Sequence, residues 1–298
     1  MTRTRVRAVD VALMAVGVVG VSMSGPLMAA MAVPALAIAF WRNAFGTLAL
    51  TPFATQHLPG FRALSGRPML PVGLAAVALA VHFGFWVSAL QLTSVASATA
   101  LVCMQAGFVV LISWARGETV SRRVLVGLGI CLAGVLVVTG VDFAASRQAL
   151  VGDLLALAGG VGAAVYVVAG GVVRRSTNTT VYTFTCYGLC ALLLLVVCLA
   201  WGQQLVGYAA VDWWRLLALT VVAQLLGHSV FNHVLATVSP TIVSLVILLE
   251  VPGAALLAGW WLGQTPPGGV YVGLALLVGG LAVVVTSREG EPIEAIAD

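Results

Sequence analysis

Apolar residues run through this chain in blocks of about twenty, and each block ends at a short joint carrying Pro, Arg or a few polar side chains. A helix that crosses a hydrocarbon core needs about 20 mainly apolar residues. The blocks therefore predict ten spanning helices, over 9–25, 33–55, 70–92, 97–115, 123–141, 152–173, 180–202, 213–236, 240–262 and 268–287. Within each block the apolar residues are continuous, whereas a transmembrane β-strand alternates between lipid and lumen. The joints leave no room for a soluble domain, so the expectation is an all-α membrane protein.

Composition agrees. Of 298 residues 61% are hydrophobic and 8% charged, where soluble domains carry about 25% charged. Too few polar side chains exist to coat a compact domain in water, so the solvent of most of the chain is lipid. All fourteen basic residues are Arg. Without Lys, a phosphate loop ending in Gly-Lys-Ser/Thr and Schiff-base chemistry are both excluded. Cys103, Cys131, Cys186, Cys190 and Cys198 each sit in an apolar stretch without metal or disulfide spacing and read as small hydrophobes. No metal, cofactor or nucleic-acid partner is expected, and the one partner that composition implies is membrane lipid.

The Arg residues also set an orientation. Arg3, Arg5, Arg7, Arg62, Arg67, Arg116, Arg122, Arg123, Arg174, Arg175 and Arg288 fall on one side of the ten-span arrangement, Arg147 and Arg215 on the other, and Arg42 within the second span. The positive-inside rule then places both termini in the cytoplasm of a cell inner (plasma) membrane. The basic start Thr2–Arg7, followed by an apolar run, also reads as a cleavable signal peptide. An internal repeat opposes that reading, because it makes the first segment the partner of the sixth.

Slid on itself by 143 residues, the chain matches Asp10–Gly17 to Asp153–Gly160, Leu92–Val95 to Leu235–Val238 and Gly84 to Gly227. After a three-residue shift in the fourth span, Gly117, Gly127 and Gly134 meet Gly263, Gly273 and Gly280. The two copies are 1–147 and 148–298, one integrated membrane domain. Each holds an odd number of spans, so the second copy sits upside-down on the first. Inverted repeats of this kind place a substrate site between the halves near mid-membrane.

Phe40-Trp-Arg42, Gly152-Asp153, Arg174-Arg175, Leu235–Thr241, Glu250-Val-Pro252 and Gly263-Gln264 carry a resemblance over nearly the whole chain to the drug/metabolite transporter superfamily, EamA type. The resemblance implies a secondary transporter with ten helices that exports small metabolites such as amino acids by alternating access. The chain departs from the family pattern where Val251 separates Glu250 from Pro252 and where Gln264 replaces an acid.

An ionisable group at mid-bilayer costs about 2.5–3.5 kcal/mol on insertion scales, so each needs a partner, a wet cavity or a task. Arg42 stays charged and suits a substrate carboxylate, unless it is paired or snorkels. Gln224, His228 and Asn232 are four residues apart on one predicted helix face and either line a substrate path or bond helices together. His82 and Trp86 form an aromatic wall with one polar group, either for substrate or for packing. Gln105 is an uncharged companion in the fourth span. Glu250 handles a proton or an ammonium, or bonds Arg42 structurally, and Pro252 kinks its helix. Gly227–Phe231 lacks the final Gly of a nucleophile elbow. No enzyme is expected; the rivals are an uncoupled facilitator and, more remotely, an intramembrane enzyme.

Overall fold

The structure is a computed structural model that describes residues 7–64, 69–142 and 147–285. Arg3, Arg5, Arg67 and Arg288 lie outside the described residues. Helical runs occupy each apolar block. They are α1 (Ala8–Ala29), α2 (Ala35–Ala54), α3 (Met69–Ala89), α4 (Val95–Ala115), α5 (Arg122–Asp142), α6 (Arg147–Arg174), α7 (Thr179–Ala200), α8 (Ala210–Val234), α9 (Pro240–Leu262) and α10 (Gly268–Val285). A short helix over Leu58–Ala63 follows α2, and no strand occurs among the described residues. Seven of these runs, α1, α3, α4 and α6 to α9, are long and apolar enough by themselves to cross a membrane. In α2 the apolar run is diluted by Arg42 and Asn43, both fully buried.

Local chemistry sets the ends. Ser94 and Ser239 cap α4 and α9, each side chain accepting from the backbone N–H three residues on. At the other end Gly117 and Gly263 take left-handed φ of 77° and 68°, the conformation that stops a helix at little cost only for Gly.

Three runs are broken rather than bent. Helix α1 is interrupted at Met23, α4 at Cys103–Met104 and α9 at Leu248–Leu249. Pro26 and Pro252 have no N–H to offer the carbonyls of Ser22 and Leu248, four residues earlier, so two of the breaks follow from proline. The kink expected at Pro252 takes the form of an interruption one turn before it, at Leu248–Leu249. Helix α4 has no Pro and carries Gly107 where α9 has Pro252. A fourth irregularity lies in α8, where Thr220–Ser229 is wound with π-type hydrogen bonds.

The packing is reciprocal between the two copies. Helix α5 packs on α10, α2 on α7 and α4 on α9, while the α3–α6 contact is answered by α8–α1. Gly134 lies against the Gly273 carbonyl at 2.7 Å from a hypothetical Cβ, and Gly280 against the Gly127 carbonyl at 2.6 Å. Because 127 meets 280 while 134 meets 273, α5 and α10 run antiparallel. Helix α6 meets α3 through Gly162, whose hypothetical Cβ falls 2.9 Å from the Ala78 carbonyl and 2.8 Å from the His82 N. Helix α1 meets α8 through Gly20, against the Val222 carbonyl at 2.6 Å and the Gly227 N at 3.0 Å. The first groove spans four residues and the second five, so the π-type winding has added one residue to α8.

The offset therefore grows chiefly before the fourth span, to 145 at Ser94 and Ser239, and by one more residue within it, to 146 at Gly117 and Gly263. Ser94 answers Ser239, so Leu92–Val95 corresponds to 237–240 and the expected match to Leu235–Val238 is two residues out. Likewise His82, not Gly84, answers Gly227. Close helix contact through Gly makes the α5–α10 seam intolerant of added volume. Gly280→Ala is expected to lower stability by about 1–3 kcal/mol, the usual cost of overpacking. Gly279→Ala, with open space at its Cβ, is expected to leave it unchanged; thermal unfolding in detergent distinguishes the two.

Candidate functional site

The breaks and the π-wound stretch converge on one small interior cavity. Of the residues expected to form a site, His82 and Trp86 (α3), Gln105 (α4), His228 and Asn232 (α8) and Glu250 (α9) line it. The lining is completed by α1 and α6, so the contributing helices are the three corresponding pairs α1/α6, α3/α8 and α4/α9. Gln105 and Glu250 enter as the first residues of the half-helices Gln105–Ala115 and Glu250–Leu262.

The His82 and Trp86 rings stack, 5.5 Å apart with 17° between planes. His82 Nδ1 lies 3.1 Å from the Gly159 carbonyl. A carbonyl only accepts, so Nδ1 carries the hydrogen and Nε2 remains for the cavity. The ring reaches that carbonyl because α6 presents Gly159 and Gly162 to α3. His228 faces His82 across 6.2 Å and meets Phe83 edge-on at 5.2 Å. Among the buried side-chain atoms without a hydrogen-bond partner are Trp86 Nε1 and Glu250 Oε1. Trp86 Nε1 is thus a spare donor on a cavity-lining residue, and Glu250 Oε1 a spare acceptor in addition to His82 Nε2.

Arg42 and Gln224 do not line the cavity but lie beside it. The Arg42 guanidinium is fully buried. Its Nε donates to Gln224 Oε1 at 2.9 Å and its Nη1 to Ser24 Oγ at 3.3 Å, beside the break in α1. Its carbon stands 4.0 Å over the Phe83 ring, the ring whose face carries the partial charge that attracts cations. Nη2 has no partner, and no described carboxylate lies within 4 Å. The Arg42–Glu250 bond weighed from sequence is therefore not made; every partner of the cation is neutral.

The three polar residues of α8 do not share one face. Gln224 turns to α2, where its Nε2 donates to Asn43 Oδ1 at 3.1 Å, while His228 and Asn232 turn to the cavity. The π-type winding changes the angular step between them, which a period of 3.6 does not anticipate. Asn232 is also the centre of a network that the sequence reading missed. Tyr166 Oη on α6 donates to its Oδ1 at 2.9 Å, and its Nδ2 donates to Tyr187 Oη on α7 at 3.3 Å. Tyr166 lines the cavity as well. The signal was present, since Gly159, Gly162 and Tyr166 fall on one helix face. Two residues read otherwise from sequence act as caps. Gln264 Oε1 accepts from the Val95 N at the start of α4, and Arg174, read as a cytoplasmic-side charge, is buried and donates to the Asn232 carbonyl at 2.8 Å.

The cavity measures about 30 Å³. That is room for a water or two, whereas small-molecule sites run to about 300–1,000 Å³.

Compared with known proteins, residues 10–140 and 150–286 each match the EamA-like transporter family. A crystal structure of a protein 21% identical superposes with a TM-score of 0.73, covering 95% of this chain and 100% of that one, and so shares its fold. None of the curated proteins matches.

Proposed function

This chain belongs to the EamA-like transporter family, and from that membership we propose that it is a proton-coupled exporter of small metabolites such as amino acids, working by alternating access. Membership makes it a multi-pass membrane transporter of small molecules; the direction, the cargo and the coupling are the proposal. So are the ten spans in two inverted halves with both termini cytoplasmic. The antiparallel, reciprocal contacts of α5 with α10 and of α3–α6 with α8–α1 support that arrangement.

One observation carries the functional reading. A guanidinium, Arg42, and a carboxyl group, Glu250, are buried at or beside a cavity ringed by broken helices, neither is bonded to the other, and each keeps an unpartnered polar atom. A buried charge without its complement costs several kcal/mol, and a transient ligand that supplies the complement recovers it. Arg42 orients an anionic group, His82 and Trp86 form the apolar wall, and Gln105, His228 and Asn232 hydrogen-bond the cargo. Gln224 holds Arg42, and Glu250 carries a proton or pairs with an ammonium. Pro252 supplies the hinge.

Purified protein in liposomes, offered labelled amino acids and small carboxylates with and without a pH gradient, tests this. Saturable uptake concentrated by the gradient is the expected result. Saturable uptake that only equilibrates makes the protein an uncoupled facilitator, and silence across the panel removes the proposed cargo.

A further inference from the structure

The two copies put different side chains at the same place in the cavity. Ser94 and Ser239 cap α4 and α9, Gln105 and Glu250 open their second halves, and Gly107 and Pro252 follow two residues later. All three pairs share a single offset of 145 residues (94 and 239, 105 and 250, 107 and 252). Both Gln105 and Glu250 are 6% exposed, and both line the same cavity. Each is the first residue of a half-helix of at least eleven residues whose opening N–H groups bond back across the break, Ala106 to Cys103 and Gly107 to Met104 in α4, Val251 to Leu248 and Gly253 to Leu249 in α9. A γ-carboxyl differs from a γ-carboxamide by one atom in shape, so either position accommodates either group.

We propose that Gln105 and Glu250 are equivalent acid positions of one twofold site, of which this chain fills one with an acid and the other with an amide. Gln105 thereby limits the cavity to a single exchangeable proton per transport cycle. The inference rests on the reading of Glu250 as the proton-handling group. The copies are not identical around the pair, and the groups that face it are Arg42 from α2, His82 from α3, Cys103 from α4, Tyr166 from α6 and His228 from α8. His82, Tyr166 and His228 line the one cavity together with both positions, whereas Arg42 and Cys103 stand beside it, near Glu250.

A hydrophobic carbodiimide tests the proposal without knowledge of the cargo, because it adds to a carboxyl group together with its proton in apolar surroundings. Full-length protein in liposomes of neutral lipid is treated with dicyclohexylcarbodiimide across a pH series, and the tagged residue is mapped by peptide mass spectrometry. The wild type is expected to be tagged at Glu250 and Glu250→Gln to lose that tag. The double variant Gln105→Glu/Glu250→Gln is expected to be tagged at position 105, since both positions line the one cavity. Gln105→Glu alone, which keeps Glu250, is expected to be tagged at both positions and serves if the double variant does not purify as a monodisperse species. A tag at 250 in the wild type with none at 105 in either folded variant overturns the equivalence. No tag at Glu250 in the wild type overturns the reading of Glu250 itself, and that failure is visible before any variant is made.

Discussion

Replacing Arg42 by Met is expected to cut uptake of carboxylate cargo at least tenfold while leaving the fold as stable as before or more so. The two effects are predicted to part because the site holds the cation without a counter-charge. Its partners are an amide oxygen, a hydroxyl and the Phe83 ring, which orient a guanidinium but do not neutralise it. Exchanging buried ionic groups for apolar side chains of similar volume is often neutral or stabilising by about 1–4 kcal/mol. Against that stands the Gln224 oxygen, left without its donor at a cost of about 1–3 kcal/mol. The two terms offset each other, so the melting temperature in detergent moves little. For transport nothing compensates, since one lost charge-assisted bond pair is worth about 1.5–3 kcal/mol, or a factor of ten and upward. Arg42→Lys, which keeps the charge but not the planar fork, is expected to fall between. Uptake that survives in a folded Arg42→Met would remove the carboxylate from the cargo's description, whereas loss of the fold in that variant would make Arg42 a structural residue.

The helices were legible in the sequence because lipid enforces them: in a hydrocarbon solvent an apolar block must satisfy its own backbone, and Pro and Arg mark where it stops. The boundaries of α6 and α7 fall within a few residues of the hydropathy blocks for that reason. The break in α4 was not legible, and Pro26, which breaks α1, reads in the sequence as the end of the first span rather than as a break inside it. Hydropathy is blind to a missing hydrogen bond inside a run that stays apolar, as over Leu101–Val110, and a single Gly107 in a Gly-rich chain carries no weight alone. The composition of the site was legible from cost, since polar groups are expensive in a membrane, and that argument brought six of the named residues to one cavity. It failed on placement where the backbone departs from 3.6 residues per turn. Gln224 is carried to Arg42 by the π-wound stretch of α8, and no pattern in Thr220–Ser229 announces that winding. Tyr166 was missed for a different reason: tyrosine is amphipathic and raises no alarm in an apolar run, so only its position on the glycine face of α6 gave it away.

Glu250→Gln is expected to abolish accumulation against a gradient and to spare exchange. A pH difference of one unit drives a single proton with about 1.4 kcal/mol, enough to hold a tenfold concentration ratio of a neutral cargo. An exporter that exchanges cargo for protons fills vesicles whose lumen is acid, because protons leave as cargo enters. The wild type should therefore approach a tenfold ratio under that gradient, and none when the gradient is absent or reversed. Gln keeps the size of the side chain, its acceptor oxygen and its place on the Glu250–Leu262 half-helix, so the cargo still meets a hydrogen-bonding group and counterflow should remain within severalfold. What Gln lacks is a proton to exchange, and the steady-state ratio should fall to one. The split matters more than either number. Loss of counterflow together with accumulation would mean that Glu250 binds cargo directly as a charge, pairing with an ammonium group. Glu250→Asp then separates the two roles: the shorter arm still titrates, so coupling at a reduced rate is expected of a proton carrier, whereas a salt bridge to cargo would be stretched by one methylene and lost from both assays.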